Sequence, residues 1–144
     1  MSKKRDQSLA DVVNHLSRLL TQSLGETIAA HGVTPGQLPV LQCLWEQDGL
    51  TQRELYQRVH IEQATMSNTL SRMQRDGLIK RKPDPNDRRA QRVLLTAKAK
   101  KLEAKLADAS QTVNKAALGK LKVKDKKVAL ELMGQMIDNL SPPQ

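Results

Sequence analysis

Apolar residues recur at three- and four-residue spacing over most of this chain, which is the repeat of one face of an α-helix. The first such stretch covers residues 9–31 and stops at Gly32, so it predicts one long amphipathic helix. A second helix is predicted over residues 34–48, because Thr34 is a favoured N-cap and Pro35 is tolerated at the first helical position. Pro39 lies beyond that position, so the opening turn of this helix is expected to be distorted.

Two shorter helices are predicted in the middle of the chain. Thr51 and Glu54 have the spacing of a capping box, which starts a helix over residues 52–59. The next helix covers residues 63–76, and Gly77 ends it. Its apolar positions, at i, i+4 and i+7, are Met66, Leu70 and Met73. Polar side chains line the opposite side, so the pair is predicted to form a helix-turn-helix with an exposed second helix.

A β-hairpin is predicted directly after this second helix. Residues 78–82 and 92–95 are β-capable, and the connection between them, residues 83–89, is rich in turn residues and charges. Hairpin loops usually contain roughly two to five residues, so this longer basic loop is expected to be a functional projection. A polar-faced helix followed by a basic hairpin is how a winged helix-turn-helix addresses duplex DNA.

Two further helices are predicted after the hairpin. Thr96 is expected to cap a helix of more than twenty residues, and a hinge is expected over residues 119–127. A last apolar stripe runs from Val128 to Leu140, and Pro142 prevents the helix from continuing. The helices at the two ends carry more apolar surface than a small DNA-binding core can cover. Homodimerisation is therefore expected.

Net charge changes this interpretation from a plain helical domain to a nucleic-acid-binding one. The formal charge of the 144 residues is +9, and twelve lysines and arginines but only four acidic residues lie between Arg72 and Lys105. A concentrated cationic surface is typical of proteins that bind a polyanion, although a solvated face is the simpler alternative. Aromatic residues are almost absent, with only Trp45 and Tyr56, which argues against the stacking platforms of single-strand binders.

Composition also limits where the protein acts. No apolar run approaches the roughly twenty residues of a membrane span, and Met1 begins a charged tail, residues 1–7, that lacks an apolar signal core. A cytoplasmic protein is predicted, associated with the bacterial nucleoid when it is bound to DNA, with no membrane partner.

The residues from Asp84 to Thr96, DPNDRRAQRVLLT, follow a Gly77-Leu78-Ile79 helix exit and resemble the wing signature of the MarR family of bacterial transcription factors, the multiple antibiotic resistance regulators. The resemblance covers nearly the whole chain, from the leucine-rich first helix through residues 32–35 to the last helix. It implies a mainly α fold with a small β-hairpin wing, in which the first and last helices of two copies interlock. It also implies sequence-specific regulation of transcription, more often repression, at a pseudo-palindromic operator.

The resulting domain prediction is a single domain over residues 1–144. Residues 34–96 would form the winged helix-turn-helix that binds DNA, and residues 8–32 and 97–141 would form the dimerisation helices. The alternative function, favoured by the dense positive charge, is a sequence-indifferent architectural DNA binder.

Candidate DNA-binding residues lie on the two short helices and the hairpin. They are Gln52, Arg53, Gln63, Thr65, Ser67, Asn68, Arg72, Arg75, Lys82, Arg88, Arg89 and Arg92. Asn68 and Arg72 have the chemistry for bidentate contacts with adenine and guanine, and Arg88 at the hairpin tip suits a narrow minor groove. The other basic side chains of the hairpin, with Gln52 and Arg53, are expected to contact phosphates. As the alternative, all of these are ordinary solvent-facing residues.

Other chemistry is predicted to be absent or minor. His15 and Arg18, one turn apart on the first helix, could form a cationic lip for an anionic effector, and the family resemblance points toward phenolic carboxylates; helix surface or dimer contact is the alternative. Cys43 is expected to be a small buried hydrophobe without a redox role. No metal-ligand spacing, cofactor motif or catalytic constellation is present, so an enzyme is not predicted. The lysines of residues 120–127 are expected to be solvated.

Overall fold

The computed structural model describes residues 8–143, which form seven α-helices and a three-stranded antiparallel sheet. The helices are α1 (Leu9–Ile28), α2 (Leu38–Glu46), α3 (Gln52–Arg58), α4 (Gln63–Arg75), α5 (Ala97–Lys101), α6 (Glu103–Leu118) and α7 (Val123–Leu140). The strands are β1 (Leu50–Thr51), β2 (Ile79–Pro83) and β3 (Gln91–Leu95), and a 3-10 turn, Ala29–His31, extends α1. The mainly α fold with a β-hairpin is confirmed. The charged tail predicted over residues 1–7 lies outside the described residues.

The start of α2 was predicted wrongly. The helix begins at Leu38 rather than at Pro35, because residues 34–37 form a turn. The Gln37 backbone N–H donates to the Thr34 carbonyl at 3.0 Å, and the Thr34 N–H donates to the Gln37 side-chain oxygen at 3.1 Å. Pro39 consequently lies in the first turn of the helix, where a missing N–H leaves no bond unmade, so the distortion expected there is not required.

The helix-turn-helix is confirmed, and its ends have clear physical causes. At the start of α3 the Thr51 hydroxyl accepts from the Glu54 N–H at 3.1 Å, and the Glu54 carboxylate accepts from the Thr51 N–H at 3.2 Å. Gly77 ends α4 in the left-handed conformation, at φ 73°. The N–H groups of Gly77 and Leu78 then bond back to the last turn of α4, which satisfies its terminal carbonyls.

The sheet contains one strand that the local sequence pattern did not predict. The order is β1-β3-β2, and the two-residue β1 pairs with β3 through Leu50 opposite Val93. β2 and β3 form the predicted hairpin, with Ile79 opposite Leu95 at its base. A strand of two residues has no alternation of its own, so only its pairing with β3 defines it.

Two helix boundaries after the hairpin also differ from the prediction. Thr96 caps α5 as expected. At Leu102, however, the backbone N–H donates to the carbonyl of Ala99, three residues back instead of four, and this turn separates α5 from α6. The hinge is shorter than predicted, because α7 begins at Val123 and takes in the lysines at 124, 126 and 127. Lysine is a good helix former, so a lysine-rich stretch need not be a hinge.

The core lies where α2, α3, α4, the sheet, α5 and α6 meet. Its fully buried side chains include Leu41, Leu44, Leu55, Leu70 and Leu106. By contrast, α1 buries only Ile28 and packs on α6, and α7 buries no residue. The apolar stripes of these two helices therefore remain open to solvent.

Within residues 8–143, no helix combines the length and the apolar character that crossing a membrane requires.

Candidate nucleic-acid interface

Helix α4 has one buried face and one exposed face. Met66, Leu70 and Met73 are completely buried and hold the helix on the core. The predicted DNA-binding residues of this helix are all exposed, namely Gln63, Thr65, Ser67, Asn68, Arg72 and Arg75. Their helical angles place Asn68 and Arg75 directly opposite the buried stripe and Arg72 next to them, whereas Thr65, Ser67 and Gln63 lie on its flanks. The outer face of α4 is therefore polar and basic along its whole length.

Two aspartates shape the loop at the tip of the hairpin, residues 84–90. The Asp84 carboxylate accepts from the Asn86 N–H at 2.9 Å, and the Asp87 carboxylate accepts from the Arg89 N–H at 3.0 Å. Backbone bonds from Ala90 to Asp87 and from Asp84 to Ala90 close the loop. These contacts leave Arg88 and Arg89 exposed at the tip. The carboxylate of Asp87 therefore orients the loop.

Arg92 lies on β3, two positions after the loop at the hairpin tip, rather than in the loop itself. Its side chain is 42% exposed, and its Nε is 3.6 Å from the carboxylate of Asp84, which is only 11% exposed. The same Nε is buried without a hydrogen-bond partner among the described residues. The ion pair therefore joins β3 to Asp84, the loop residue directly after β2, and it competes with the phosphate contact predicted for Arg92.

Arg81 connects the hairpin to α4, and sequence reasoning did not identify this contact. Its guanidinium donates to the Ser71 hydroxyl at 3.1 Å. Ser71 is exposed on the outer half of α4, beside Arg72 and Arg75. A pair of residues ten positions apart on different elements has no local sequence signal. The bond fixes the hairpin beside the exposed face of α4.

The start of α3 and the hairpin tip enclose a cleft of about 540 Å³. Its lining comprises Thr51, Gln52, Arg53, Asp87, Arg88, Arg89, Ala90 and Gln91. Four of the predicted phosphate- or groove-contacting residues thus lie together, on two elements that are far apart in sequence. Hydrogen bonds from the Thr51 hydroxyl and the Thr51 backbone N–H lower the pKa of Glu54, so this neighbouring carboxyl stays ionised and keeps α3 capped.

A second cleft, of about 530 Å³, separates the connection between α1 and α2 from α4. It is lined by Thr34, Gly36, Gln37, Thr65, Thr69, Arg72, Arg75 and Asp76. The basic side chains of the last two turns of α4 therefore face both the solvent and this connection. Lys82, the remaining predicted residue, is exposed on β2 opposite Arg92.

A cavity of about 270 Å³ lies on the other side of the α1–α2 connection, between α1, α2 and α6. Its lining combines leucines and prolines with the polar side chains of Thr21, Gln42, Ser110 and Asn114. The two residues predicted to hold an anion, His15 and Arg18, are exposed on α1 and do not line this cavity. They lie five and two residues, respectively, before its first lining residue, Leu20.

Cysteine and metal chemistry add little at this surface. Cys43 is half-buried, and burial raises the pKa of its thiol, which disfavours the reactive thiolate. Over residues 8–143, no cluster of three or more histidine, cysteine or acidic side chains is positioned to hold a metal ion.

Several known proteins are similar to this chain in sequence and in fold. Residues 33–90 match the model of the MarR family. The transcriptional regulator HosA of Escherichia coli O111:H- is 28% identical over 106 residues, which are 74% of this chain and 78% of HosA. A MarR transcriptional regulator from Methanosarcina mazei Go1 superposes with a TM-score of 0.82 at 25% identity, covering 91% of this chain and 94% of that one.

One structural neighbour is described together with a ligand. BpsR of Bordetella bronchiseptica, whose DNA binding is regulated by 6-hydroxynicotinic acid, superposes with a TM-score of 0.85 at 20% identity, covering 96% of this chain and 99% of BpsR.

The predicted resemblance to the MarR family is confirmed by the matches to the family model, to HosA and to the Methanosarcina mazei regulator. The expectation that the chain is not an enzyme is likewise confirmed, because the similar proteins are transcriptional regulators.

Proposed function

We propose that this chain, whose residues 33–90 match the model of the MarR family, is a transcriptional regulator that represses transcription by binding a pseudo-palindromic operator in double-stranded DNA as a homodimer. The observation that carries the proposal is the division of α4 into a buried apolar face and an exposed polar and basic face, with the basic hairpin fixed beside it. A helix presented in this way fits the major groove of B-DNA, while the hairpin reaches the neighbouring backbone or minor groove.

The exposed residues divide by chemistry into those that read bases and those that contact the backbone. Thr65, Ser67, Asn68 and Arg72 on α4 carry hydrogen-bonding groups that suit base edges. Arg88, exposed at the hairpin tip, suits insertion into a narrow minor groove. Gln52, Arg53, Lys82, Arg89 and Arg92 are proposed to contact phosphates, which positions the protein without selecting a sequence. Gln63 and Arg75 complete the proposed surface at the two ends of α4.

The homodimer is proposed because two helices expose apolar stripes. The exposed apolar side chains of these stripes are Leu9, Val12, Val13, Leu16 and Leu19 on α1, and Val128, Leu132, Met133, Met136, Ile137 and Leu140 on α7; Val123 and Leu130 on α7 are exposed as well. Apolar surface of this extent marks an interaction site. We assign residues 8–32 and 97–141 to dimerisation and residues 34–96 to DNA binding. Two-fold symmetry then places two copies of α4 about one helical turn, roughly 34 Å, apart on the duplex.

Footprinting combined with a mass measurement tests this proposal. The solution mass should be twice the 16.1 kDa of one chain. A duplex selected by the protein from a random pool should show a protected region with dyad symmetry. Scrambling one half-site should reduce affinity strongly, whereas scrambling an equal length of flanking DNA should not. A protected region without dyad symmetry, or a solution mass of one chain, would refute the proposal.

The concentrated positive charge also favours a second function, sequence-indifferent binding that shapes DNA. This function predicts nearly equal affinity for all duplexes and a steep dependence on salt concentration. A competition between the selected duplex and random DNA at moderate salt separates the two functions. Specific sites usually win by roughly 10³ or more. A ratio below about tenfold would favour the architectural function.

We further propose that a small organic anion, such as a phenolic carboxylate, releases the protein from its operator. The proposal is supported by the exposed pair His15 and Arg18 on α1 and by the cavity that begins near them at Leu20. The regulation of BpsR by 6-hydroxynicotinic acid is a precedent from a protein of the same fold. An anion can shift the equilibrium only by its differential affinity for the free and DNA-bound arrangements.

Titrating salicylate against the protein–operator complex tests this regulation. Release should saturate, exceed a control of equal ionic strength and disappear in Arg18→Ala. Lys120→Ala is the matched control, because Lys120 is also an exposed cation but lies beyond α6, and it should respond as the wild type does. Release that follows ionic strength alone in all three proteins would show ordinary screening and no effector site.

A further inference from the structure

Gln37 has an environment unlike that of the other polar residues. It lies immediately before α2 with 3% exposure, and among residues 8–143 it is the only polar or charged residue that is buried. Its side-chain oxygen accepts from the Thr34 N–H at 3.1 Å, and its amide nitrogen donates to the Asp76 carboxylate at 3.0 Å. The second bond joins residues 39 positions apart in sequence. A buried amide with both ends bonded is held in one orientation.

Asp76, the partner of Gln37, forms the C-terminal cap of α4. One carboxylate oxygen accepts from Gln37, and the other accepts from the Arg75 Nε at 3.3 Å. The Asp76 carbonyl also accepts from the Lys98 ammonium at 3.1 Å. The Gln37 hydrogen bond, followed by that from Arg75, lowers the pKa of Asp76, so the carboxylate is charged and the bond to Gln37 is a charge-assisted one.

We infer that Gln37 is a positioning residue that fixes the C-terminal end of α4 against the α1–α2 connection and thereby controls the operator preference of α4. The inference rests on the proposed function for its DNA readout. Arg72 and Arg75 lie in the last turn of α4, so any movement of this end displaces both guanidinium groups. Contacts to base edges require defined geometry, whereas flexible lysine and arginine contacts to phosphates tolerate a small shift. A released helix end therefore lowers specific affinity more than nonspecific affinity.

The neighbours of Gln37 extend this role. Pro35 and Leu38 line the 270 Å³ cavity, while Gln37 itself lines the cleft beside α4. One short connection thus forms a wall of both spaces. A displacement of the connection on the cavity side reaches α4 through the Gln37–Asp76 bond.

A swap of the two side-chain groups tests the inference. Gln37→Glu removes the donor and places two carboxylates together. The double variant, Gln37→Glu with Asp76→Asn, restores both bonds, because the carboxylate introduced at position 37 can accept from the Thr34 N–H and from the amide introduced at position 76. Gln37→Met, which keeps the length of the side chain without a donor, replaces Gln37→Glu if the latter does not fold. Trp45→Phe is the control, since it removes another long-range hydrogen bond, from Trp45 Nε1–H to the Ala99 carbonyl, that does not reach α4.

Two readouts are compared in these proteins. The first readout is the rate of amide hydrogen exchange over residues 63–78, which needs no DNA. This rate should rise at least tenfold in Gln37→Glu or Gln37→Met and return to the wild-type value in the double variant. It should stay unchanged in Trp45→Phe. The second is the affinity for a duplex selected by the wild type divided by the affinity for random duplex. This ratio should fall at least tenfold in the single variant, recover in the swap and stay within twofold of the wild type in the control.

The outcomes separate the inference from the proposed function. Three results would overturn the inference. The rate of exchange in α4 could equal that of the wild type in both Gln37→Glu and Gln37→Met, or the double variant could restore neither readout. Trp45→Phe could also change both readouts as much as the Gln37 variants do. A wild-type protein that selects no duplex would overturn the proposed function, and the exchange rates alone would then decide the role of Gln37.

Discussion

Leu132→Ala on α7 should weaken the homodimer about thirtyfold. Leu132 is 47% exposed, and it lies in the middle of the stripe that we assign to the interface. The substitution removes three carbons, worth about 0.8 kcal/mol each when fully buried, so the exposed half contributes about 1 kcal/mol per protomer. A two-fold interface repeats the loss in the partner. The sum is about 2 kcal/mol, and each 1.4 kcal/mol corresponds to about tenfold in the dissociation constant.

Sedimentation velocity over a dilution series measures this change. The dimer dissociation constant should rise in Leu132→Ala and stay unchanged in Val123→Ala. Val123 is the control, because it is 83% exposed on the first turn of the same helix, five residues before the stripe begins at Val128. Operator affinity should fall in parallel at protein concentrations below the new dissociation constant. Equal dimerisation of both variants and the wild type would show that α7 does not form the interface.

Titrations of DNA at several salt concentrations should distinguish base contacts from backbone contacts. Arg72→Ala should reduce the discrimination between bases at one position of the operator by roughly 1–3 kcal/mol of binding free energy. Lys82→Ala should weaken binding to all DNA sequences about equally and lower the slope of log affinity against log salt concentration by about one. Identical profiles would contradict this assignment. Thr51→Ala should cost about 1 kcal/mol in urea unfolding at neutral pH, because it removes the cap of α3. The pKa of Glu54 is lowered in the folded protein, so its stabilising contribution is present above the ordinary glutamate pKa, about 4.3, and is lost as the pH falls through the folded value. The difference in the free energy of unfolding between Thr51→Ala and the wild type should therefore become smaller in acid. A difference that does not change with pH would show that Glu54 does not contribute to the cap.

Local patterns were sufficient to predict where most of the helices lie and which face of α4 is exposed. The spacing of Met66, Leu70 and Met73 identified the buried side, and these residues are completely buried. The capping box at Thr51 begins α3 and the left-handed Gly77 ends α4 where the sequence placed them. These features succeed because they depend on residues three or four positions apart. Exposure of the predicted DNA-binding residues follows from the same periodicity, while their roles on DNA stay predictions.

Tertiary contacts decided what periodicity could not. Strand β1 exists only through its pairing with β3, and the side chain of Gln37 makes residues 34–37 a turn instead of the first turn of α2. Arg92 resembled the other hairpin arginines in sequence, but an ion pair with Asp84 holds its side chain beside the loop. The bond between Gln37 and Asp76 joins residues 39 positions apart, and no spacing rule indicates it. Sequence therefore determined which faces are apolar, whereas the meeting of distant segments determined how α4 and the hairpin are held.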